Sequence, residues 1–127
     1  MFNRVPIPEI RALINTFNWL AKAEPAQALV AFYVYESQVP RIAREKAQTL
    51  QRLYGFDAAA CKYFTVHTTA DVAHAQVWRD QLDQVLKTDP RAIYGSILAA
   101  KAAATALWRA LDGIDARRVS RSRPPSD

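Results

Sequence analysis

Tyr63-Phe64-Thr65-Val66-His67-Thr68-Thr69-Ala70-Asp71-Val72-Ala73-His74-Ala75-Gln76-Val77-Trp78 is the stretch on which the reading of this chain turns. His67, Asp71 and His74 fall at i, i+4 and i+7, so a helix would carry all three on one face. The chain has two histidines, and both are in this stretch. Thr68, Thr69 and Gln76 suit a solvated outer face, whereas Phe64, Val77 and Trp78 suit a face turned to a core. Two imidazoles and a carboxylate on one stripe favour the second reading, with a metal as the group they share. That donor set suits iron or manganese, with zinc also open.

Upstream, Leu29-Val30-Ala31-Phe32-Tyr33-Val34-Tyr35-Glu36 is apolar or aromatic until its last residue. A carboxylate buried there is costly unless a cation or hydrogen bonds compensate it. Glu36 on a helix facing the His-Asp-His stripe supplies the carboxylate that metal sites in helical bundles use. The competing reading leaves Glu36 in solvent at a helix kink. Tyr33 and Tyr35 read as core aromatics, although a tyrosine beside a metal ligand is also placed to be oxidised. Lys46 lies ten residues beyond Glu36, nearly three turns along a helix, and reads by itself as a surface lysine.

Working outward, a first helix is expected from Pro8, with Ile10, Leu13, Ile14, Phe17 and Leu20 as its buried stripe. Pro25 marks the next start. A second helix is expected from Pro25 to Tyr54, kinked near Gln38 by Pro40 and closed by Gly55. Asp57 is expected to cap a third helix running to Lys87. Asp89-Pro90 opens a fourth, expected to end near Leu111 with Gly113 beyond it. Four helices with short turns predict an all-α, up-and-down arrangement.

Composition supports that class: half of the residues are hydrophobic, glycine is scarce, and 127 residues suit one domain. The single cysteine, Cys61, excludes an intrachain disulfide and a thiolate zinc cage, and fits a reducing, cytoplasmic setting. No apolar run is long enough for a bilayer, so no membrane role is expected. The net charge of +5 is concentrated at the C-terminus, where Arg117, Arg118, Arg121 and Arg123 outweigh Asp127. With Ser120, Ser122, Pro124 and Pro125 among them, residues 114–127 read as a disordered basic tail after a domain of residues 1–113. No aromatics interleave with those arginines, so nucleic acid is not an expected partner.

The joint pattern Tyr35-Glu36-Ser37-Gln38-Val39-Pro40-x2-Ala43-x2-Lys46, Leu50-x3-Tyr54-Gly55 and Tyr63-Phe64-x2-His67-x3-Asp71-x2-His74 resembles the haem-oxygenase-like dimetal oxidases. Within them it is most similar to the CADD-like proteins, relatives of TenA thiaminases and PqqC. The resemblance extends to about Leu111. It implies a haem-oxygenase-like helical bundle with a six-ligand centre, iron as Fe/Fe or Fe/Mn, and dioxygen as co-substrate. Glu36, His67, Asp71 and His74 correspond to four of the ligands. The other two, a Glu and a His on an earlier helix, have no counterpart, so the chain reads as a C-terminal part with the N-terminal helices missing.

The resemblance further implies p-aminobenzoate formation in the folate pathway, by sacrifice of the protein's own side chains. Lys46 corresponds to the lysine that supplies the amino group, and Tyr35 to a tyrosine adjacent to the site. The tyrosine that supplies the ring falls in the missing part, which implies impaired activity for this chain. A homodimer or a complementing N-terminal segment is the implied partner. Two alternatives stand beside this: a PqqC- or TenA-like enzyme working without a metal, and a catalytically inactive helical assembly module. Cys61 lies in no TenA-type motif and reads as a buried structural cysteine.

Overall fold

In the computed structural model, which describes residues 5–121, the chain forms five helices. They are α1 (Pro8–Leu20), α2 (Pro25–Glu36), α3 (Val39–Tyr54), α4 (Lys62–Thr88) and α5 (Ala92–Arg121). There is no strand among the described residues. Pro8 and Pro25 each open a helix, where the missing amide hydrogen costs nothing.

The expected second helix is two helices. Pro40 has no amide hydrogen to donate to the carbonyl of Glu36, and its ring crowds the preceding turn. The amide of Gln38 instead bonds the carbonyl of Tyr35 at 3.2 Å. The carbonyl of Val34 is then met by side chains, Gln38 Nε2 at 2.9 Å and Ser37 Oγ at 3.3 Å. The helical ladder therefore stops at Glu36 and restarts at Val39. Gly55 closes α3 in the left-handed conformation, φ 66°, as expected, and Phe56 N bonds back to Leu50 O at 3.2 Å.

Asp57 caps a turn rather than the long helix. Its Oδ1 accepts from Ala60 N at 2.8 Å, and α4 begins after that turn, at Lys62. The fourth expected helix starts near its place, with Asp89 Oδ1 accepting from Arg91 N at 3.3 Å, but it ends ten residues late. Gly113 does not stop α5. A Cβ at Gly113 would lie 2.8 Å from Cγ and Cδ of Glu9, so its glycine serves the close approach of α1. Arg117 holds the same contact, donating to Gly113 O at 2.8 Å and pairing with Glu9 at 3.1 Å. Residues 114–121 of the expected tail are helical and continue α5. Residues 122–127 lie outside the described residues.

The helices pack in the spatial order α3, α4, α2, α5, α1, with α2 held between α4 and α5. Glu9 meets Gly113, so α1 and α5 are antiparallel. Cys61 Sγ meets Ala47 O, and Trp78 meets Glu36, so α4 runs against α3 and α2. The core is built largely from small side chains. Ala99, Ala103, Ala106 and Ala110 form the buried stripe of α5, and Leu20, Val30 and Ala31 close on it. Full burial of Leu20 contributes about 1.5–3 kcal/mol.

Small core side chains leave larger ones outside. Tyr94, Ile97, Leu98, Trp108 and Leu111 on α5, and Tyr63 and Val66 on α4, are all about half exposed or more. No helix among the described residues is long and apolar enough to cross a membrane.

Candidate metal centre

The break after α2 leaves Glu36 as the last residue of its helix, facing the middle of α4. There Asp71 and His74, one turn apart, meet it. His74 Nδ1 lies 3.2 Å from Asp71 Oδ1 and 3.5 Å from Glu36 Oε2. One ligand atom from each of Glu36, Asp71 and His74 lies within 4.8 Å of the others, close enough to share one cation. Asp71 is buried at 6 % exposure, Glu36 is partly buried, and His74 is the most open of the three. Two carboxylates drawn this close repel each other, and a buried one needs a compensating charge. The donor set, two carboxylate oxygens and an imidazole, fits iron(II) or manganese(II) better than a soft metal.

His67 is not part of this group. It sits one turn toward the N-terminus of α4 from Asp71, with Nδ1 2.7 Å from the carbonyl of Tyr63. Its ring stacks on the Tyr63 ring, centroids 4.1 Å apart. A carbonyl only accepts, so Nδ1 carries the hydrogen, which leaves Nε2 as the ring nitrogen through which a neutral imidazole could bind a metal. His67 lines a groove of about 410 Å³ with Tyr35, Ile42, Phe64, Leu107 and Trp108.

Tyr35 joins the groove to the centre. Its hydroxyl is held protonated to higher pH than usual, first by burial and then by the charges of Tyr63, Asp71 and Glu36. Its ring meets Phe17 edge-on at 5.9 Å. Lys46 is exposed on α3, one turn beyond the groove residues Ile42 and Ala43. The structure thus brings Glu36, Asp71 and His74 together, sets Tyr35 and His67 beside them, and leaves Lys46 farther along α3.

Trp78 was legible only as a core neighbour. Its Nε1–H donates to Glu36 Oε2 at 2.9 Å. Spacing carried a signal, because Trp78 follows His74 by four residues and so shares its stripe. Tyr63 carried the equivalent signal four residues before His67.

Residues 3–108 match the family model described as iron-containing redox enzyme. A 4-aminobenzoate synthase of Nitrosomonas europaea is 38 % identical over 111 residues, covering 85 % of this chain and 44 % of that protein. The 4-aminobenzoate synthase of Chlamydia trachomatis is 40 % identical over 86 residues, 66 % of this chain and 37 % of its own length. That of Chlamydia pneumoniae is 34 % identical over 83 residues, 64 % and 37 % respectively. The chain therefore spans less than half the length of these relatives. No solved structure matches it. With residues 3–108 of 127 matched by the family model, and with its all-α architecture, the chain belongs to the haem-oxygenase-like family of iron-containing redox enzymes.

Proposed function

We propose that this chain carries the metal-binding part of an oxygen-dependent enzyme that forms 4-aminobenzoate. The observation that carries the reading is the convergence of Glu36, Asp71 and His74 within 4.8 Å in a member of this family. The names of the relatives supply the product. When bound, iron, alone or paired with iron or manganese, supplies the binding and reduction of dioxygen. Glu36, Asp71 and His74 hold the first ion, and Nε2 of His67 is the candidate ligand toward a second.

Tyr35 is the candidate oxidisable side chain at the site. Its hydroxyl keeps its proton at neutral pH, so any oxidation there must remove a proton with the electron. Lys46 is the candidate amino donor, one turn from the groove wall. A dinuclear centre needs more donors than these four residues offer, and the exposed apolar side chains of α4 and α5 need a cover. A second copy or a complementing segment would provide both. Alone, the chain is expected to hold one ion tightly and to turn over poorly.

The test is anaerobic titration of the purified chain with iron(II) and manganese(II), followed by metal analysis. One ion per chain, lost in Asp71→Ala and His74→Ala, is expected. Metal content unchanged in both variants sinks the reading. The product is tested separately, by rescue of a 4-aminobenzoate auxotroph with the chain alone and together with the first half of a full-length relative.

A further inference from the structure

The indole of Trp78 is held at two points. Its Nε1–H donates to Oε2 of Glu36 at 2.9 Å, and its ring packs on Phe32 with centroids 5.4 Å apart. Phe32 lies one turn before Glu36 on α2, and Trp78 one turn after His74 on α4. The indole nitrogen donates only, so Trp78 cannot bind a metal through it and acts by fixing an acceptor.

Glu36 needs such a partner. It is the last residue of α2, and its long side chain has several rotamers open to it. The bond to Trp78 occupies one direction on Oε2 and sets the rotation of the carboxylate. The remaining lone pairs of Oε1 and Oε2 are left for His74 and for an ion shared with Asp71. The stack on Phe32 fixes the donor in turn, so the restraint returns to α2 itself.

We infer that Trp78 is a positioning residue, whose indole N–H holds the Glu36 carboxylate in the orientation that completes the cation site with Asp71 and His74. The inference rests on the metal reading of that group. Partners of this kind typically change metal affinity by about 10–100-fold when removed.

Cobalt(II), a coloured stand-in for iron(II), is the probe. Trp78→Phe keeps an aromatic ring on Phe32 but lacks the N–H, and is expected to bind cobalt(II) about 10–100-fold more weakly. Its helical circular dichroism should stay near that of the parent chain. In metal-free, 15N-labelled protein, Glu36→Ala should shift the Trp78 indole resonance and leave those of Trp19 and Trp108 in place. If Trp78→Phe fails to fold, that indole shift decides alone. An unmoved Trp78 resonance overturns the inference, as does a folded Trp78→Phe that binds cobalt(II) as tightly as the parent. If the parent chain binds no cobalt(II), the metal reading falls and this inference with it. Tight binding by both parent and Trp78→Phe removes only the role of Trp78.

Discussion

His67 Nδ1 lies 2.7 Å from the carbonyl oxygen of Tyr63, one turn earlier on α4, and its ring lies outside the group formed by Glu36, Asp71 and His74. The two histidines of the chain are therefore not equivalent. His74→Ala should weaken binding of the first manganese(II) ion at least tenfold, and His67→Ala by no more than about threefold. Isothermal titration of both variants decides it. Equal losses would place His67 in the same site.

Metal binding should also appear as stability. A ligand bound only by the folded chain adds about 2.7 kcal/mol at one hundred times its dissociation constant. Manganese(II) at that level should raise Tm by several degrees, and chelation should reverse the rise. Asp71→Ala should abolish the response, as read by differential scanning fluorimetry with and without chelator.

Two glycines of α5 should answer differently to alanine. At Gly95 a Cβ meets the end of a flexible side chain, Gln27 Nε2 at 2.7 Å, which can swing away. Gly95→Ala should therefore gain most of the helix propensity difference, up to about 1 kcal/mol. At Gly113 the Cβ meets the stem of Glu9, with Cβ itself at 3.1 Å, and α1 must give. Gly113→Ala should show no net gain. Urea denaturation of the two variants measures the contrast.

Ala103 is fully buried where α5 packs among Leu20, Val30 and Ala31. A larger side chain there forces the helices apart. Ala103→Leu should cost about 1–3 kcal/mol, although both residues are good helix formers. An unchanged denaturation midpoint would show that this seam is looser than its burial indicates.

Glu9 links stability to pH. Its carboxyl is held below the ordinary value of 4.5, first by a hydrogen bond from its own backbone amide; burial opposes this, and the hydrogen bond and charge of Arg117 add to the lowering. A carboxylate with a depressed folded-state pKa contributes stability above its unfolded pKa and loses it as pH falls through the folded value. Acid should therefore weaken the α1–α5 contact below about pH 4.5, and Glu9→Gln should flatten that part of the profile. Thermal melts from pH 3 to pH 6 test it. A steeper profile in the variant would reverse the sign.

What sequence alone determined follows from local chemistry. Proline positions set the starts of α1 and α2, Gly55 set the end of α3, and the i, i+4, i+7 spacing put His67, Asp71 and His74 on one helix. These are events within a turn or two of backbone, where residue type decides the conformation. The match to a known family was equally legible, because it too is a pattern of residues in order.

Tertiary structure decided what lies between helices. Gly113 reads as a terminator until Glu9 is seen against it, because the contact joins opposite ends of the chain. Residues 114–121 continue the same helix past that contact. Spacing could not tell His74 from His67, since both share the stripe. Glu36 reaches only one of them, from a helix end that Pro40 created. The partner of Glu36 on the other side, Trp78, became visible only when α2 and α4 were placed side by side.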